Sequence, residues 1–173
     1  HSPSRRQRQM CIRDRPHAYA ELPEVFYNLQ NWEGFKNPSL VIENAQLKKE
    51  MGLQNIEGYK LLEIFNGSSQ IKTLKPLSMV YAGHQFGQYV EQLGDGRGLL
   101  LGQINSSSGL IDIHLKGAGK TPYSRFGDGR AVLRSVIREY LCGEAMHALS
   151  IPTSRALMLS LIHISEPTRR RLI

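Results

Sequence analysis

The reading of this chain turns on residues 94–130, "GDGRGLLLGQINSSSGLIDIHLKGAGKTPYSRFGDGR". The stretch begins and ends on the same four letters, Gly94-Asp95-Gly96-Arg97 and Gly127-Asp128-Gly129-Arg130. Between them lie an apolar run, a Ser/Gly turn at 105–109, and an alternation of Ile111, Ile113 and Leu115, the period of a half-buried strand. With "QYVEQL" ahead of the first copy, the pattern predicts strand, glycine-rich turn, strand, turn, strand. "GAGKTPYSRFGDGR" reads as a long loop from its glycines, proline and charges. From Ala131 to Leu149, the residues Leu133, Val136, Ile137, Tyr140, Leu141, Ala145 and Leu149 recur at helical spacing. The first copy is therefore expected in a turn between strands. The second is expected at the end of a loop entering a helix, where the acidic Asp128 is favourable. Nothing around the two copies repeats, which argues against an internal duplication. The fold class that follows is α+β, a twisted antiparallel sheet with a glycine-rich hairpin and a packed helix.

Upstream, "NPSLVIENAQLKKEMGL" predicts a short strand around Leu40–Ile42 and a helix from about Asn44. Asn44 is placed to cap that helix, Leu47 and Met51 share one face, and Gly52 ends it. "GYKLLEIFNGSSQIKTLKPLSMVYAG" predicts a second helix near 59–65 and a loop holding Gly67, Ser68 and Ser69. Past Pro152, "SRALML" reads as one more strand.

At 173 residues the chain has room for one modest domain with a core. Its formal net charge of +7 suggests an anionic partner until the charge is located. Residues 1–15 carry five arginines against one aspartate, and 160–173 carry three arginines against one glutamate. The intervening 16–159 has 14 Lys+Arg against 13 Asp+Glu. The ends, with "QMCIRDR" and "SLIHISEPTR", resemble translated adapter sequence. Residues 1–15 and 160–173 are thus expected to be non-native, and the authentic sequence to run from near Pro16 to near Leu159. No nucleic-acid partner is inferred from that charge. Cys11 and Cys142 form neither a disulfide framework nor a metal spacing, and Cys142 is expected in the core side of a helix. No apolar run is long enough to span a membrane.

Gly94, Gly96 and Gly98 form G-x-G-x-G, which lets a turn approach a ligand with its N–H groups directed at phosphate oxygens. Arg97 adds a charge-assisted donor. An ordinary hairpin turn meets the same pattern, and the motif alone does not separate the two. A dinucleotide fingerprint fits poorly because a strand follows the glycines, and "GAGKT" lacks the full phosphate-loop spacing. Lys116, at the end of the third strand, can reach back to phosphates held by the turn, and Glu139 on the following helix can pair with it. The bland alternative is a surface lysine and a solvent-facing glutamate. Arg125, Arg130, Arg134 and Arg138 crowd one region, the last three at four-residue intervals, and suit either phosphates or a solvated helix face. His84 and His114 have no partners at metal-ligand spacing; His84 is a candidate for ordering a loop beside the site.

"NPSLVIENAQLKKEMGL", "YAGHQFGQYVEQLGDGRGLLLGQI" and "DIHLKGAGKTPYSRFGDGRAVLRSVIREYLCGEAMHALSIPTSRAL" together resemble the N-terminal part of the selenoprotein O family, also called the YdiU family. The resemblance covers most of 16–159. It implies a protein-kinase-like fold, of which only the N-terminal part is here, and protein adenylyltransferase activity. Such enzymes bind ATP in a flipped orientation with Mg2+ or Mn2+, move AMP to Ser, Thr or Tyr hydroxyls of proteins, and release pyrophosphate. Gly94, Gly96, Arg97, Lys116, Asp128 and Gly129 match nucleotide-binding positions, and Glu139 matches the helical partner of Lys116. The family's catalytic aspartate, metal ligands and further phosphate-binding arginines lie in its C-terminal part. No catalytic residue or metal ligand is therefore assigned here, and the piece is expected to be inactive alone. Two other readings stay open: a kinase-like phosphotransferase, and a non-catalytic nucleotide-binding or redox-interaction module. Bacterial members are expected in the cytoplasm and eukaryotic ones in mitochondria.

Overall fold

The computed structural model describes residues 18–32, 34–67, 75–106 and 109–162. Most of both suspected foreign ends, and Ser68 and Ser69 of the expected loop, lie outside these residues. Two single helical turns, Ala18–Glu21 and Glu24–Phe26, lead into β1 (Tyr27–Leu29). Next come β2 (Pro38–Glu43), α1 (Ala45–Glu50), α2 (Gly58–Phe65), β3 (Leu77–Met79), β4 (Gly83–Gln85) and β5 (Gln88–Val90). The long strands β6 (Gly98–Ser106) and β7 (Gly109–Lys116), helix α3 (Leu133–Ala148) and β8 (Met158–Ile162) complete the order.

The chain is α+β. A four-stranded antiparallel sheet runs β1-β3-β6-β7, and two further strand pairs, β2-β8 and β4-β5, stand apart from it. In β7 the side chains of Ile111, Ile113 and Leu115 are half-buried while Leu110, Asp112, His114 and Lys116 are exposed. That alternation sends one face to the core and leaves the other exposed. The core forms where α1 and α2 cover the sheet: Leu47, Met51, Leu61, Ile64 and Phe65 meet Leu101 and Ile104 of β6, with Ile111, Ile113 and Leu115 packed against them. Each such side chain removed from water contributes about 1.5–3 kcal/mol. Asn44 caps α1 by accepting the Leu47 N–H at 3.0 Å, and Gly52 follows in the left-handed region at φ 72°.

The glycine-rich hairpin expected around the first Gly-Asp-Gly-Arg is not formed. β5 pairs with β4 through a tight turn at Phe86-Gly87, and β6 belongs to the other sheet. The Gly94–Arg97 turn is instead a link between sheets, held from the side: Leu93 N–H bonds Tyr81 O and Asp95 N–H bonds Met79 O. Two other expectations change. Cys142 lies on α3 as expected but is exposed, because Gly143 is the only buried residue of that helix. Arg130 is not on the helix, which begins at Leu133, so only Arg134 and Arg138 share its exposed face. The strand read at "SRALML" starts only at Met158 and continues to Ile162, pairing Ser160 with Leu40 and Leu161 with Ser39.

Arg155 ties three of these pieces together. Its Nε and Nη2 donate to the two carboxylate oxygens of Glu144 on α3 at 2.8 and 2.7 Å, and its Nη1 donates to Glu50 at the end of α1 at 2.8 Å. The hydrogen bonds from Arg155 hold the Glu144 carboxyl below its ordinary range against the opposing effect of burial. Replacing the guanidinium (Arg155→Ala) leaves two carboxylates facing each other without a counter-charge. The expected result is a loss of about 2 kcal/mol in urea unfolding followed by the fluorescence of Trp32, the sole tryptophan.

Candidate functional site

The end of β7 and the start of β6 are brought side by side by their ladder. Gly98 pairs with Lys116, so the lysine stands directly across from the residue that follows Arg97. Arg97 O then accepts from Gly117 N at 2.7 Å and from Ala118 N at 3.3 Å, which fastens the "GAG" loop to the first turn. One step further, Gly119 N donates to Gly129 O at 3.1 Å. The two Gly-Asp-Gly-Arg copies thus meet through residues 117–119, although 33 positions separate them in the sequence. Lys116 Nζ lies 2.5 Å from Glu139 Oε2 on α3. Both side chains are about half exposed, so the pair contributes little stability and acts mainly to aim the ammonium.

The glycines of this region are required by contact. A Cβ on Gly94, whose φ is 70°, would sit 2.4 Å from the Tyr123 ring, and one on Gly96 would sit 2.7 Å from Tyr123 O. A Cβ on Gly98 would meet the His114 ring at 2.5 Å. Gly129 is buried at φ 72°, and a Cβ there would overlap Gly119 O at 1.9 Å.

The two aspartates of the doubled motif have opposite settings. Asp95 is turned inward and buried. Its carboxylate accepts from Met79 N–H at 3.1 Å and Tyr81 OH at 3.1 Å, and shares a hydrogen bond with His114 Nε2 at 3.3 Å. Burial pushes this carboxyl up, but the bonds from His114, the Met79 amide and Tyr81, with the nearby His114 charge, outweigh it and hold the group below its ordinary value. Burial and the Asp95 charge push the Tyr81 hydroxyl up. Asp128 is exposed and its Oδ1 accepts from Arg130 N–H at 2.9 Å, an Asx turn that shapes the loop; it is not at the start of α3, which begins at Leu133 with the apolar Val132 in the cap position. Arg130 carries its guanidinium carbon 4.2 Å from the centre of the Phe35 ring. The Phe35 backbone is held at both ends by the Asn66 side chain, at 2.8 Å each, and Trp32 Nε1 donates to Ala118 O at 3.3 Å.

Arg97 is exposed beside this arrangement, and Arg125 is occupied by Gln85 at 3.0 Å. His84 stays in the β4-β5 hairpin, edge-on to Tyr89. Among the described residues no group of three His, Cys, Asp or Glu side chains is placed to hold a metal ion. The Asp95 carboxylate is already committed to three donors and Asp128 Oδ1 to the Arg130 N–H, so no step through a metal is derived from these residues.

The family model described as "Protein adenylyltransferase SelO" matches residues 13–171. The chain belongs to the SelO family. It is 54% identical over 142 residues to a protein of Vibrio parahaemolyticus named "Protein nucleotidyltransferase YdiU", covering 82% of this chain and 29% of that one. Proteins of the same name in Ruegeria pomeroyi and Stutzerimonas stutzeri are each 47% identical, over 88% and 87% of this chain and 32% of theirs. This SelO-family chain therefore spans less than a third of the length of the curated relatives it matches.

Sequence reasoning named Gly94, Gly96, Arg97, Lys116, Asp128, Gly129 and Glu139. The structure gathers Gly94 to Arg97 with Lys116 and Glu139, and joins Gly129 to them by way of Gly119. The sequence pattern did not single out Asp95, His114, Thr121, Tyr123 and Ser124 as supports of the turn. The one available signal was the density of side-chain donors in "TPYS" between two glycine clusters.

Two outcomes follow for this SelO-family chain. Gly129→Ala forces both a left-handed alanine and a backbone overlap; stability should fall by at least about 1–3 kcal/mol in urea unfolding. Asp95 has a lowered folded pKa, so its contribution is complete above the unfolded value of about 3.9 and is lost as pH falls through the lower folded value. Unfolding free energy measured from pH 7 to pH 2 should fall along this acid limb, and Asp95→Asn should be less stable at pH 7 with a shallower limb.

Proposed function

We propose that this chain supplies the phosphate-binding side of an ATP site in a protein adenylyltransferase, and that the whole protein moves AMP from ATP to Ser, Thr or Tyr hydroxyls of other proteins. The observation that carries the reading is the pairing of Gly98 with Lys116, which sets an ammonium aimed by Glu139 beside a glycine turn bearing the exposed Arg97. Family membership supports the direction of the chemistry. In AMP transfer, negative charge builds on the α-phosphate and on the departing pyrophosphate, where fixed cations and N–H groups lower the barrier most. Arg97 and Lys116 are the cations for that task, and Asp128 and Gly129 border the same nucleotide from the second copy. The order of glycine turn, strand lysine and helix glutamate supports a protein-kinase-like arrangement. A divalent ion, Mg2+ or Mn2+, would shield the phosphates when bound, held by residues outside those described. The relatives are bacterial, for which the cytoplasm is the expected compartment.

The full-length protein carrying this segment should label acceptor proteins from ATP marked on the α-phosphate and not from ATP marked on the γ-phosphate. The reverse result would assign it phosphoryl transfer, and neither label would reduce it to a binding module. Lys116→Ala should lower kcat/KM for ATP about 10²-fold. The 173-residue chain alone is expected to give no labelled product.

A further inference from the structure

Thr121 and Ser124 lie in the loop between Lys116 and the second Gly-Asp-Gly-Arg, yet their hydroxyls are directed at the first copy. Thr121 Oγ1 donates to Asp95 O at 2.7 Å and Ser124 Oγ donates to Gly96 O at 2.6 Å. Each hydroxyl also accepts from its own loop, Ser124 Oγ from Thr121 N–H at 2.8 Å and Thr121 Oγ1 from Tyr123 N–H at 3.1 Å. The Tyr123 ring fills the space below Gly94. Both oxygens are therefore used as donor and acceptor at once, and their loop cannot shift without breaking its hold on the turn.

This hold has a directional consequence. A trans peptide is planar and its N–H points away from its C=O. With Gly96 O drawn toward Ser124, the N–H of Arg97 must face the opposite way. Gly96 N–H is already turned to Gly94 O at 3.0 Å, whereas among the described residues no acceptor takes the Arg97 N–H. The Arg97 N–H is thus fixed in orientation by a serine that faces away from it. Asp95 O, gripped by Thr121, fixes the preceding peptide in the same manner.

We propose that Thr121 and Ser124 are positioning residues for ATP: they lock the Asp95–Gly96 and Gly96–Arg97 peptides so that the Arg97 N–H and side chain are presented together to a phosphate. The inference rests on the nucleotide reading of the site and adds to it two residues that do not touch the nucleotide. The binding of ATP then depends on hydroxyls of a loop whose own contacts are with carbonyl oxygens.

The test uses the full-length protein carrying this segment, with Kd measured for a fluorescent N-methylanthraniloyl ATP and kcat from pyrophosphate release at saturating ATP. Thr121→Val and Ser124→Ala should each raise Kd and KM for ATP about tenfold, change kcat less than about threefold and leave the thermal midpoint nearly unmoved. The hydroxyl-keeping variants Thr121→Ser and Ser124→Thr should stay near the parent. Unchanged ATP affinity in Thr121→Val and Ser124→Ala overturns the proposal. So does equal loss in the hydroxyl-keeping variants, which would reduce the pair to packing. Arg97→Ala and Lys116→Ala separate the two levels. If neither weakens ATP, the nucleotide reading itself fails; if both do and the hydroxyl variants do not, only the positioning role fails.

Discussion

A carboxylate that leaves water must find a donor for nearly every lone pair it carries, and Asp95 does so with three groups from two separate stretches of chain. The Met79 amide comes from the end of β3, the Tyr81 hydroxyl from the segment after it, and the His114 imidazole from β7. Satisfying one buried charge thereby fixes where the sheet ends, where the link into β6 turns, and which rotamer His114 adopts. Gly98 has no side chain because the imidazole passes through that space to reach Asp95. The Gly94–Arg97 turn is consequently built around an inward-facing acid, with its arginine left outside.

Local rules account for what could be read from the sequence. Asn44 before a helix and Gly52 after it, the alternation of Ile111, Ile113 and Leu115, and the helical spacing after Ala131 are statements about neighbours, and they set α1, β7 and α3. What could not be read depends on partners far apart in the chain. The β4-β5 turn at Phe86-Gly87 diverts β5 from β6, and nothing in "QYVEQL" announces that the strand pairs backward. Cys142 was expected in the core as a small apolar residue on a helix, but exposure depends on what covers α3, where the apolar Leu141 and Leu149 are exposed as well. At the site, Lys116 and Glu139 were legible because their order along the chain carries meaning. His114 was not, since its partner is 19 residues back and pairs through a glycine gap.

Two contacts to the aromatic segment near residue 32 give the second Gly-Asp-Gly-Arg its support. Asn66, at the end of α2, holds the Phe35 backbone; the Phe35 ring carries Arg130; and Trp32 reaches Ala118. The helical core and the candidate site are thus one mechanical unit, and a change at the end of α2 is felt at Arg130. Against this, α3 is held to the rest by the Arg155 bonds and by Glu139, with most of its surface outside the core.

The β6–β7 hairpin also governs the order in which the site can assemble. Thr121 and Ser124 are 26 and 28 residues from the carbonyls they grip, a costly closure for a free chain. Once the hairpin has zipped to Gly98 and Lys116, those same ends are already neighbours, and only a few residues on either side remain to be ordered. The loop is then a late clasp on an early scaffold. Opening it does not require the strands to part, so the Gly94–Arg97 turn can come undone and re-form while the core stays folded.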